Sequence, residues 1–205
     1  MAIPKPERVL IIGRSPGVLA STVALLRGRG YTADATTEFD HVVDRYDPAT
    51  VDIVVFGGMV PPDTRQRLRE QFACHHPDTI FVQGFAGIPG LIAAQVDAAV
   101  AGPSHDAEAG YEQASRSIRL RLYRPHKVAV VAWWATVFVP PEPQSTSMKV
   151  LDTELPIGPH RIPLPDAVPT MASFATVSIG AAVWAFIVGK MPPGTTMAQF
   201  DESAI

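Results

Sequence analysis

Apolar runs that end in glycine and alternate with helix-like stretches constrain this chain most. Val9, Leu10, Ile11 and Ile12 precede Gly13; Ile53, Val54, Val55 and Phe56 precede Gly57 and Gly58; Ile80, Phe81 and Val82 lead through Gln83 to Gly84. A strand apolar on both faces belongs in a parallel sheet covered by helices on each side. Ser15 is placed as an N-cap and Pro16 at the first helical position. Val18, Leu19, Val23 and Leu26 then form an apolar stripe that Gly30 terminates. A second strand is expected over residues 32–36, a short helix around Val42 and Tyr46, and further helices after Asp63 and Pro89. Asp97, Ala98, Ala99, Val100 and Ala101, ending at Gly102, are expected to form a fifth strand. The front half therefore reads as a five-stranded, doubly wound parallel α/β sheet with right-handed crossovers.

The texture changes near Tyr111. Residues 104–115 are expected to form a last bridging helix, after which the period switches to two. Ile118, Leu120 and Leu122 alternate with Arg119 and Arg121. Arg124, Pro125, His126 and Lys127 read as a hairpin turn, followed by a long apolar strand that carries Trp133 and Trp134. Shorter strands are expected at residues 148–151 and 160–162, and a long one at 174–188. The prolines between them cannot interrupt a central ladder. This predicts a small antiparallel β-rich domain, sandwich or barrel. The expected domains are residues 1–110 and 111–190, with 191–205 a flexible tail.

Several function classes are disfavoured at this level. The net charge of −3 is small and unsegregated, which argues against nucleic acid. One cysteine, Cys74, permits no internal disulfide and fits a reducing cytoplasm. The first eight residues lack the apolar core of a signal peptide. The uncharged stretch 167–189 is long enough to span a membrane, but it alternates in the manner of a strand entering a core. Neither a membrane segment nor a nucleic-acid partner is expected.

Read in order, residues 9–13, residues 52–61 and the segment Ala99-Val100-Ala101-Gly102-Pro103 resemble a response-regulator receiver domain, a likeness confined to residues 1–105. In that family a pair of acids ends the first strand and binds magnesium; Gly13 and Arg14 stand there. The phosphorylated aspartate falls on Gly57, the lysine before proline on Gly102, and the hydroxyl residue on Gln83 or Gly84. Magnesium wants carboxylate oxygens, and Arg14 would repel it. The resemblance thus implies a degenerate receiver that acts through interaction, with no catalytic residues, no metal and no cofactor.

Three other readings attach to the same residues. Glycines at strand ends let ligands approach, so Gly13, Arg14, Ser15, Gly17, Gly57, Gly58 and Gly84 are candidate contacts for a nucleotide or small anion, the anion at the turn 13–17 and Glu38 placed for a ribose. Gly13-Arg14-Ser15-Pro16-Gly17 also matches G-x-S-x-G, with Ser15 as a hydrolase nucleophile and His105 and Asp106 as partners; no oxyanion loop precedes it. Cys74, His75 and His76 lack a second ligand pair at zinc spacing and read as a helix end. Arg116, Arg119, Arg121 and Arg124 form a basic row suited to an acidic protein. Consecutive Trp133 and Trp134 must face opposite sides of their strand, and the outer one needs cover. Contact with the front domain or a second subunit would provide that cover, and a protein partner or self-association through the β-rich half is expected.

Overall fold

The computed structural model describes residues 7–102, 104–137 and 144–190; the expected tail at 191–205 lies outside them. By internal contacts the described chain divides into two units that meet in sequence between Val96 and Asp97.

The first unit is a parallel sheet of four strands, not five. β1 (Arg8–Ile12), β2 (Thr32–Thr36), β3 (Ile53–Phe56) and β4 (Ile80–Gln83) stand in the order β2-β1-β3-β4. Helices α1 (Pro16–Gly28), α2 (Val42–Arg45) and α3 (Pro62–His75) make the crossovers, and α4 (Pro89–Ala101) follows β4. The winding order reverses between β1 and β3, so right-handed connections put α1 on one face and α2 and α3 on the other. On the latter face Leu10, Ile12, Val54 and Phe56 pack with Val42, Leu68 and Phe72. Val9, Ile11, Ile53 and Val55 point the opposite way and are equally buried. Burial on both sides is what those continuous apolar runs encode.

The expected fifth strand is the last turn and a half of α4. Residues 97–101 carry three alanines, the best helix former, and nothing between Gly90 and Ala101 breaks the helix. Gly102, at φ +64, ends it in the left-handed conformation open to glycine. The helix expected at 104–115 is likewise absent. Its place is taken by β5 (Ala107–Glu112), with Ala107, Ala109 and Tyr111 on one face and Glu108, Gly110 and Glu112 on the other.

The second unit holds two antiparallel sheets. β5, β6 (Ser117–Leu122) and β9 (Gly158–Pro163) form one, in the order β5-β6-β9. The other is β11-β10-β7-β8, from β7 (His126–Val137), β8 (Gln144–Leu155), β10 (Ser173–Ile179) and β11 (Ala182–Ile187). Ile118, Leu120 and Leu122 of the first sheet share a core with Val128, Val130, Ala175 and Val177 of the second. Residues 124–127 are therefore not a hairpin turn: β6 pairs with β5 and β9, whereas β7 pairs with β8 and β10. The architecture is a four-stranded parallel sheet plus two antiparallel sheets, which replaces the five-stranded sheet with a trailing β domain.

The long strand expected at 174–188 is a hairpin. Ile179 pairs with Ala182, and Gly180, at φ +60, occupies the first position of the two-residue turn, where glycine is favoured. The turn changes the phase of the alternation. Val177 lies opposite Trp184, so Trp184 and Phe186 face the shared core, and Val183, Ala185 and Ile187 face away. Trp134 also packs on that core, while Trp133 lies on the opposite face with its Nε1–H donated to Thr176 Oγ1 at 2.9 Å.

Candidate functional site

In an open α/β sheet the crevice beyond the strand ends, where strand order reverses, is the place for a ligand. Here that crevice lies between β1 and β3, at Gly13 and Gly57. Their backbones approach closely: a Cβ added to Gly57 would lie 3.4 Å from Gly13 Cα and 3.4 Å from Ile12 O. One added to Gly13 would lie 3.3 Å from Leu19 Cδ2. Gly84 is similarly tight, 3.3 Å from Phe56 O. Close strand and helix packing favours a small residue at these three positions.

Their amides are already engaged. Gly13 N–H donates to Thr36 O at 3.1 Å, Gly57 N–H to Ile12 O at 2.8 Å, and Gly84 N–H to Phe56 O at 2.8 Å. The ladder thus continues one residue past each strand, and these donors do not point at a ligand. Arg14 lies over the Phe39 ring at 5.2 Å. Ser15 is the N-cap of α1 with Pro16 following; its carbonyl accepts from Leu19 N–H at 3.0 Å, and its hydroxyl makes no capping bond. Gly17 lies in the first turn of α1, and Gly58 is exposed in a turn closed by Val60 N–H to Gly57 O at 3.1 Å. Glu38 pairs with Arg45 at 2.9 Å.

Sequence reasoning missed the polar groups that do gather at this edge. Arg65 Nη1 donates to Gln83 Oε1 at 2.6 Å, and Gln83 Nε2 donates to Phe56 O at 3.1 Å. From α4, Gln95 Nε2 donates to Gln83 O at 2.8 Å and Gln95 Oε1 accepts from Phe85 N–H at 2.9 Å. Arg69 lies over both Phe56 and Phe81, at 5.7 and 5.4 Å. Burial first, and Arg65 second, lower its pKa from the usual guanidinium value. The one signal was Gln95, the single polar residue in the apolar run 91–96. The network binds strands to helices and presents no acid, base or nucleophile.

The remaining candidates disperse. His75 Nδ1 lies 2.9 Å from Gln71 O on its own helix, and His76 Nδ1 lies 3.0 Å from Val51 O. Cys74 is exposed, and no cluster of three metal-binding side chains occurs among the described residues. His105 and Asp106 follow a helix, not a fifth strand, and Asp106 is bound by Arg124 and lies 3.7 Å from His126. No helix among the described residues is long and apolar enough to cross a membrane.

The basic row is also rearranged. Arg116, at φ +45, turns inward, and its Nη2 donates to Val168 O at 2.6 Å. Arg119 and Arg121 remain on the outer face of β6, joined there by Arg161 of β9. Glu112 lies 3.0 Å from Arg161 and 4.0 Å from Arg119, and it also accepts the Ser115 hydroxyl. The Ser115 bond, then Arg161 and Arg119, hold its carboxyl below the ordinary glutamate range against the opposing effect of burial. A depressed folded value stabilises above the unfolded pKa, about 4.3, and that contribution disappears as pH falls through the folded one. Glu112→Gln is therefore expected to lower the urea midpoint at neutral pH, with the gap to wild type closing below about pH 4. A gap that persists unchanged in acid would remove the assignment.

No family model matches the chain. A stretch of 87 residues, 40% of this chain, is 30% identical to Protein Rrf1 of Nitratidesulfovibrio vulgaris. The match spans 63% of that protein, less than two thirds of its length.

Proposed function

We propose that this is a non-catalytic regulatory or interaction protein of the cytoplasm, built on a receiver-type scaffold that cannot run phosphoryl transfer. Its β-rich half mediates assembly with a protein partner or a second copy. The observation that carries the reading is the Gly13–Gly57 approach at the point where strand order reverses. A magnesium-dependent phosphoryl switch needs carboxylates there; this chain has two glycines and an adjacent arginine. The likeness rests on the first four strands, since residues 97–101 are helical. Engagement of the Gly13, Gly57 and Gly84 amides weighs against the nucleotide-binding alternative. Trp133, half-buried on the sheet face away from the shared core, is the residue behind the reading of assembly through the β-rich half, although Phe174 and Thr176 on that face are already buried within this chain.

Incubation with acetyl phosphate and magnesium is expected to leave the intact mass unchanged. A phosphoryl adduct would overturn the reading of the first unit. Melting curves are expected to stay flat with ATP, AMP, NAD and FAD, because a ligand that binds only the folded form raises stability with occupancy. A shift of several degrees would favour the binder. Light scattering is expected to give a dimer mass, and a monomer at high concentration would remove self-association.

A further inference from the structure

The outer face of the β5-β6-β9 sheet contains a depression of about 550 Å³. Period two and the pairing register determine what surrounds it. Gly110 of β5 stands opposite Arg119, Glu108 stands opposite Arg121, and on the other side Arg119 stands opposite Arg161. A Cβ built on Gly110 meets nothing within 4 Å, so the floor is open beneath three guanidinium groups.

Two like charges directly opposite each other across a ladder are destabilising. Arg119 and Arg161 are such a pair, and among the described residues Glu112 alone relieves them, with its better contact to Arg161. Both arginines stay more than half exposed, at 65% and 58%. Glu108 is taken by the Tyr123 hydroxyl at 2.5 Å, and among the described residues no carboxylate lies within ion-pair distance of Arg121. The face thus holds more guanidinium than its own acids neutralise, arranged around a vacant floor.

We infer that this depression is a docking site for an acidic polypeptide segment, whose aspartate or glutamate carboxylates lie over Gly110 between Arg121 and the Arg119–Arg161 pair. Guanidinium groups grip carboxylates through paired, charge-assisted hydrogen bonds. A continuous polyanion fits poorly. Glu108 and Glu112 interrupt the basic surface, and sequence-tolerant nucleic-acid binding wants aromatic stacking platforms along a basic groove. Discrete carboxylates on a peptide can be spaced to meet Arg121 and Arg161, which a uniformly charged chain crossing Glu108 and Glu112 cannot do. The inference rests on the reading of the β-rich half as the interacting half, and it supplies the chemistry of the partner.

Fluorescence anisotropy with a labelled peptide of four glutamates alternating with serines tests it on the full chain. Binding is expected, weakening as salt is added. Arg121→Gln is expected to lower the affinity roughly tenfold or more, the worth of a charged hydrogen bond. Gly110→Val is expected to abolish binding while leaving the melting temperature unchanged or higher, because the added side chain enters open space and valine favours a strand. Absence of peptide binding, binding indifferent to both substitutions, or tighter capture of a DNA strand of equal charge would each overturn the proposal. Failure here with an intact dimer and no phosphoryl adduct would leave the broader functional reading standing.

Discussion

Gly189→Ala is expected to destabilise the β-rich unit by about 2–4 kcal/mol, because a single methyl group has nowhere to go. The Cβ would lie 2.9 Å from Ser173 N, 3.0 Å from Met171 C and 3.1 Å from Met171 N. All three are backbone atoms, so no side chain can rotate out of the way. The backbone itself is bound from both sides. Val188 and Gly189 N–H both donate to Ser173 O, at 2.9 and 3.0 Å; Lys190 N–H donates to Thr170 O at 2.7 Å, and Ala172 N–H to Lys190 O at 2.8 Å. Any shift that admits the methyl must break some of these bonds at the start of β10, which pairs on both sides with β7 and β11. Urea unfolding followed by tryptophan emission reports the loss, since Trp134 and Trp184 pack on the core of this unit. Gly110→Ala is the control: its Cβ meets nothing within 4 Å, and the expected change is within about 0.5 kcal/mol. Equal stability of the two variants would mean that the segments do not approach as described.

The sequence was legible where one physical requirement dominated. β1 and β3 are apolar and buried on both faces, as strands inside a covered parallel sheet are, while at the edge strand β4 Val82 alone is buried. Pro16 marks the start of α1 because its fixed φ suits the first helical position, a local requirement that holds although Ser15 at the cap makes no side-chain capping bond. Legibility failed where two requirements coincided. Residues 97–101 are a short apolar run that suits a buried strand or a buried helix equally, and alanine propensity together with continuity from Pro89 decided it. The hairpin at Gly180 was hidden because a two-residue turn shifts the alternation by one position. An unbroken reading then placed Val183 with Val177 when the register places Trp184 there. Arg116 matched the exposed row by spacing, but its positive φ sends the side chain to Val168. The strand-end glycines were visible, yet what they do was not. Whether an amide faces a ligand or a neighbouring carbonyl depends on register, which no local pattern specifies.

Gln95→Leu is expected to destabilise the α/β unit by about 1–3 kcal/mol, although it places a favoured helix former in α4. In a parallel ladder one residue bridges two alternate positions of its neighbour, donating to one carbonyl and accepting from the amide two residues on. Gln95 does this with its side-chain amide, bonding Gln83 O at 2.8 Å and Phe85 N–H at 2.9 Å. β4 is an edge strand of the sheet, and the glutamine stands where a fifth strand would pair. Leucine fills similar space but leaves the Gln83 carbonyl without this donor. Gln95→Glu separates hydrogen bonding from packing. The carboxylate keeps the bond to Phe85 N–H but sets an anionic oxygen against Gln83 O. Protonation restores a donor, so the folded state favours the protonated form and raises that carboxyl above its unfolded value of about 4.3. Stability is then full below that value and falls as pH rises through the folded one. The glutamate variant should therefore approach wild type in acid and be the weaker of the two variants at pH 7, whereas leucine shows no such dependence. Amide exchange at Phe85 should accelerate in the leucine variant. If exchange there is unchanged and both variants are as stable as wild type, Gln95 does not close this edge, and the sheet must protect β4 by other means.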